Sequence, residues 1–201
     1  MKKSAFGFVF CLVFFFTLWF TALDGAAAES LSGKLIRLHV LASSDSEADQ
    51  QRKLAVRDSV LELVTPALEG CKTRSEAVSV LTPLLPEIER TAENTLRSLG
   101  SSEAVTVRLS AEPYPVREYD TFALPAGTYE SLRIRIGPGE GHNWWCVVFP
   151  PLCLSAAEED ETGEDAWEVF SPSEQRLISG SGRVIRLKAL EWWQRLKGFI
   201  S

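Results

Sequence analysis

The order of hydrophobic periodicities constrains this fold most. Residues 34–41 alternate, with Ile36, Leu38 and Val40 on one side and Arg37 and His39 on the other. A period of two predicts a half-buried strand, with Arg37 and His39 on a solvated face. The spacing then turns helical. Leu54, Leu61, Val64 and Leu68 define an amphipathic helix over residues 47–68. Ser43-Ser44-Asp45-Ser46 supplies N-caps and Gly70 a stop. Thr73-Arg74-Ser75-Glu76 fits a capping box, and Ala77, Val80, Leu81 and Leu84 form the next apolar face. An interior proline costs about 3 kcal/mol. Pro83 and Pro86 therefore predict a break near Leu84 and a third helix over residues 86–99, with Ile88, Ala92, Leu96 and Leu99 inward.

Period two then returns. Val105, Val107 and Leu109 mark a strand that Pro113 and Pro115 end. Residues 116–124 read as a weaker strand and 129–136 as a stronger one. The turn at Pro125-Ala126-Gly127 would join these two as a hairpin. Strands do not alternate regularly with helices. The expected class is α+β, a single domain with helices packed on one face of a mainly antiparallel sheet.

Residues 137–153 read Gly-Pro-Gly-Glu-Gly-His-Asn-Trp-Trp-Cys-Val-Val-Phe-Pro-Pro-Leu-Cys. The glycines and Pro138 exclude a helix or central strand at the start, so a loop feeds Trp144 and Trp145. Neighbours on a strand face opposite ways, so the two tryptophans cannot share one core. Either one of them contacts a partner, or both support the fold in two layers. Pro150-Pro151 forces an extended or turning backbone. If the chain doubles back there, Cys146 and Cys153 come within the roughly 7 Å that a disulfide needs between Cα atoms.

These residues also carry a resemblance. Asn143-Trp144-Trp145-Cys146 followed by Phe149-Pro150-Pro151-Leu152-Cys153 resembles the signature of the stage II sporulation protein R family. Ile36-Arg37-Leu38-His39-Val40-Leu41-Ala42-Ser43-Ser44-Asp45-Ser46 with Asp49-Gln50 resembles that family's opening block. Leu85-Pro86-Glu87-Ile88 and Pro125-Ala126-Gly127-Thr128-Tyr129 resemble two more. The blocks keep one order over residues 36–154. The resemblance implies a secreted, non-enzymatic signalling protein of endospore-forming bacteria. It implies export from the forespore into the space between the two membranes. The partner implied is a membrane-embedded aspartic protease of the mother cell. That protease, once activated, cleaves the precursor of the early mother-cell sigma factor.

The residues agree on export. Lys2-Lys3, an uncharged apolar run over residues 5–23 and Ala26-Ala27-Ala28 are the parts of a secretory signal. The run is also long enough to span a bilayer as an uncleaved anchor. Residues 1–28 are therefore read as signal peptide or anchor. The formal charge of −6 makes nucleic acid a poor partner. Outside the cytoplasm Cys146 and Cys153 can pair, leaving Cys71 as a lone thiol.

Residues 34–154 would form the signalling domain. Residues 155–182 are acidic and end in Ser179-Gly180-Ser181-Gly182, which reads as a flexible linker. Residues 183–201 hold five basic residues against one acidic, with Trp192, Trp193, Leu196, Phe199 and Ile200 on one helical face. That composition suits a membrane surface or a last helix docked on its own domain.

No catalytic motif, cofactor motif or metal-ligand spacing emerges. The one nucleophile-and-base pair is Cys146 with His142, which keeps an exported cell-wall or peptide hydrolase as the alternative. The candidate partner-binding residues are Asn143, Trp144, Trp145, Pro150 and Pro151, with Arg37 and His39 of the opening strand.

Overall fold

A computed structural model describes residues 25–119, 122–152, 169–179 and 192. The apolar run at residues 5–23, Cys153 and most of residues 155–201 lie outside the described residues. Among the described residues no helix is long and apolar enough to cross a membrane. Chain packing defines two compact units.

The larger unit covers Ser32–Pro113 and Thr128–Val169. It opens with β1 (Ile36–Leu41), followed by α1 (Glu47–Leu68) and α2 (Arg74–Ser98). β2 (Val105–Tyr114), β5 (Gly127–Ile136) and β6 (Asn143–Phe149) complete its sheet, in the order β2-β5-β1-β6. The class is α+β, as expected. Within it the sheet is mixed, because β1 pairs parallel with β5 and antiparallel with β6. A parallel pair needs a long crossover, and the two helices fall between its strands in the chain.

Helix α1 keeps its expected bounds because its ends are written locally. Ser46 accepts the Asp49 backbone N–H at 3.2 Å, and Gly70 takes φ 82° just past the end. Its buried seam is Lys53, Val56, Val60, Val64 and Leu68, whereas Leu54 and Leu61 are only half-buried.

The expected break in the second helical stretch does not occur, and α2 runs through both prolines. Pro83 and Pro86 are exposed and three residues apart, so the carbonyls they leave unpaired share one solvent-facing side. Thr82 and Ser79 hydroxyls bond back to the Val78 and Ser75 carbonyls on the same stretch. On the opposite side Ala77, Leu81, Ile88, Ala92 and Leu96 stay buried without interruption. Burying each large apolar side chain contributes roughly 1.5–3 kcal/mol, enough in sum to outweigh the proline cost.

The helices cover one face of the sheet. Ile36, Leu38 and Val40 of β1 join Leu132, Ile134 and Ile136 of β5 and Cys146 and Val148 of β6 in one core with the helical seams. β1 is buried along its whole length, not on alternate residues. Arg37 is 0% exposed and His39 6%, which corrects the expectation of a solvated face. β2 also continues through Pro113, because it is an edge strand and an edge tolerates a missing N–H.

The smaller unit has its own apolar residues. Among its described parts, residues 25–31 are helical and bury Ala27, Ala28 and Leu31. β3 (Arg117–Glu118) and β4 (Ala123–Leu124) form a two-stranded antiparallel pair. Tyr119 stacks on Phe122 with ring centroids 4.6 Å apart. The expected hairpin across Pro125-Ala126-Gly127 is therefore absent: β4 pairs with β3, and β5 lies between β2 and β1. A short helix, α3 (Pro172–Ile178), falls inside the stretch read as linker. Ser171 and Glu174 close a capping box there, and Leu177 and Ile178 are buried.

Candidate functional site

Two of the motif stretches meet at one end of the sheet. The carboxyl end of β1 runs through residues 42–46 into the first turn of α1. The carboxyl end of the parallel strand β5 runs through residues 137–142 into β6. Ligands and partners of such sheets are commonly met outside the carboxyl ends of parallel strands.

The two loops are tied to each other through their backbones. Gly141 N–H donates to the Ala42 carbonyl at 3.0 Å, and Glu140 N–H to the Ser43 carbonyl at 3.3 Å. A Cβ on Gly141 would collide with the Ser44 carbonyl, so only glycine allows this approach. Asp45 accepts the His142 backbone N–H at 2.6 Å and contacts His142 Nδ1 at 2.5 Å. The His142 N–H holds the Asp45 carboxyl below its ordinary range.

Helix α1 braces the rim from beneath. Ser44 Oγ donates to Asp49 at 2.6 Å and Arg52 donates to the same carboxylate at 2.9 Å. The Ser44 hydroxyl is the main reason that the Asp49 carboxyl is held low. Gln50 donates to the Ser44 carbonyl at 2.9 Å. Lys53 is 5% exposed and donates to Gln50 Oε1 at 2.6 Å and to the His142 carbonyl at 3.1 Å. Burial pushes the Lys53 amine down, with Arg57 adding to the effect and Asp45 opposing it.

β6 then presents the tryptophans on opposite faces, as strand alternation requires. Trp144 packs against the helix-side core, with the Arg57 guanidinium 4.3 Å from its ring centroid. Trp145 lies on the other face and stacks on its cross-strand partner His39, centroids 3.7 Å apart and 18° from parallel. His39 Nδ1 is 3.1 Å from Glu112, which also accepts from Arg133 at 3.0 Å. Burial lowers the His39 pKa from its ordinary value, against the raising effect of Glu112 and Asn143. Arg37, on the same face, has its guanidinium 5.0 Å from the Tyr129 ring centroid.

The structure thus brings His39 and Trp145 together and places Asn143, which is exposed, at the rim beside them. Trp144 belongs to the other face. Pro150 is buried, Pro151 half-buried, and they form the turn that ends β6, with Leu152 N–H bonded to the Pro150 carbonyl at 2.8 Å. Arg37 and His39 are both buried. Glu112, Arg133 and Lys53 escaped the sequence reading, since only strand register and helix packing bring them to these loops. His142 and Asp45 stood inside the motif blocks, but their pairing also escaped the sequence reading, which set His142 beside Cys146 and gave Asp45 to the helix cap.

Cys146 is 1% exposed within the helix-side core, while the His142 side chain is 79% exposed. The structure therefore does not present that pair as an open nucleophile and base. Among the described residues no group of three His, Cys, Asp or Glu is placed to hold a metal ion.

What the geometry defines is an α+β protein with a rigid, hydrogen-bonded loop rim and an aromatic ledge beside it. Comparison with known proteins gives the family. The stage II sporulation protein R family matches residues 32–159. Stage II sporulation protein R of Bacillus subtilis (strain 168) is 37% identical over 165 residues, covering 77% of this chain and 72% of the relative. The chain belongs to the stage II sporulation protein R family and is a sporulation protein. No solved structure matches it.

Proposed function

We propose that this protein is an exported, non-catalytic signal of sporulation. It leaves the forespore, acts in the space between the two membranes, and activates a membrane-embedded aspartic protease of the mother cell. That protease then processes the precursor of the early mother-cell sigma factor. Membership of the family is the observation that carries this reading. Burial of Cys146 removes the main support for a hydrolase built on that residue.

The contact surface in this reading centres on Trp145 and Asn143, at the braced rim. Trp144 serves the helix-side core instead. A rim held by backbone bonds and by Lys53 loses little entropy when a partner docks. The proposal includes a Cys146–Cys153 disulfide. It is supported by Cys71 being a free thiol and by the proline turn that separates Cys146 from Cys153 in the sequence. Residues 183–201 would add a membrane-surface contact. Trp192, 72% exposed, is their described residue.

The test is reconstitution in cells that carry the protease and the sigma-factor precursor and lack their own copy of this protein. Supplying the exported chain should switch precursor cleavage on. Equal cleavage with and without it would overturn the proposal.

A further inference from the structure

β2 is an edge strand, and its free edge is only partly protected. The Ala104 carbonyl accepts from Gly137 on the β5 side, whereas Val107 N–H points away and is taken by Glu89 of α2 at 3.2 Å. Strand alternation therefore aims the backbone groups of Val107, Leu109, Ala111 and Pro113 at the outer edge. Glu89 satisfies the first of these donors and Pro113 has none to offer. Among the described residues, Leu109 and Ala111 are left with outward N–H and C=O groups, and Ser110 and Ala111 are exposed. Open edges of this kind are templates for another strand.

We infer that this edge pairs with the same edge of a second copy of the chain, antiparallel and centred on Ser110. The strand's own residues select that register. Leu109 of each chain stands opposite Ala111 of the other, so every outward donor meets an outward acceptor. Val107, already satisfied, stands opposite Pro113, which has no N–H. On the outer face Arg108 falls directly opposite Glu112, so the charges are self-complementary across the two-fold axis. In one chain Glu112 already holds Arg133 and His39. The dimer adds a cation to an existing carboxylate network and continues the sheet across both copies.

The experiment is sedimentation equilibrium of the mature exported chain, with two variants. The wild type should show a concentration-dependent dimer that weakens at high salt. Ala111→Pro removes an outward donor without touching the β2–β5 ladder, and should weaken association at least about tenfold while leaving melting unchanged. Ser110→Cys should oxidise to a covalent dimer, because the central pair is not hydrogen-bonded and its Cα atoms come to about 4.5 Å. Thr106→Cys, off the two-fold axis, should not. A wild type that stays monomeric, or a dimer indifferent to Ala111→Pro, overturns the inference. So does a monomeric wild type whose sporulation signal is lost with Ala111→Pro, since the edge would then receive a strand of another protein.

Discussion

The two faces of the sheet are built on different physics, although the same strands make both. The helix-side face is aliphatic and continuous, with Ile36, Leu38 and Val40 against the valines of α1. The opposite face carries Arg37, His39, Glu112 and Arg133, each matched to an aromatic ring or an ion-pair partner. Apolar burial is non-directional and scales with area. Charge burial is directional, and losing one partner strands the other. The first face holds the fold, and the second fixes where Trp145 stands.

That contrast breaks most visibly at Leu38, which is fully buried on the helix side. Leu38→Ala should cost about 2–5 kcal/mol, read from a denaturant midpoint. A loss under about 1 kcal/mol would mean that this face is not the main source of stability. Gly141→Ala comes next. Its methyl meets the Ser44 carbonyl, so one loop must move, at about 1–3 kcal/mol. The same variant should loosen the rim, measured as faster amide exchange at Gly141 and His142.

The smallest effect is a pH dependence confined to the polar face. Burial lowers the His39 pKa below the ordinary 6.5, so the unfolded chain takes up the proton first as pH falls. Stability from His39 is fully present above about 6.5 and is lost as pH drops through the folded value. His39→Gln should flatten the slope of the melting midpoint between about pH 7 and 5, whatever it does to the midpoint itself. An unchanged slope would mean that His39 does not titrate differently in the folded chain.

How much of this was legible follows the same division. Helix α1 was readable to its ends because Ser46 and Gly70 act locally. The opposite facing of Trp144 and Trp145 was readable from alternation alone. The continuity of α2 was not, since Pro83 and Pro86 report a local cost, and the burial of Ile88 and Leu96 that offsets it is tertiary. The pairing of β5 with β1 was hidden by the turn chemistry of Pro125-Ala126-Gly127, which favours a local hairpin. Arg37 and His39 look solvated in sequence because period two shows which residues share a face and not whether that face is covered. Glu112 reaches His39 only through the sheet's register, which no short motif encodes.

Separating the two tryptophans tests the account most directly. Trp144→Ala and Trp145→Ala should be compared in parallel for melting temperature and for cleavage of the sigma-factor precursor. Trp144 packs on the core beside Arg57, so its loss should lower melting, and any loss of cleavage should follow that destabilisation. Trp145→Ala uncovers one side of His39 and should lower melting less than Trp144→Ala does, yet abolish cleavage well beyond that loss, the behaviour of an interface residue that costs roughly 2 kcal/mol or more on truncation. If Trp145→Ala signals normally, or loses cleavage only as far as it loses stability, the aromatic ledge is structural and its role as the contact surface is contradicted.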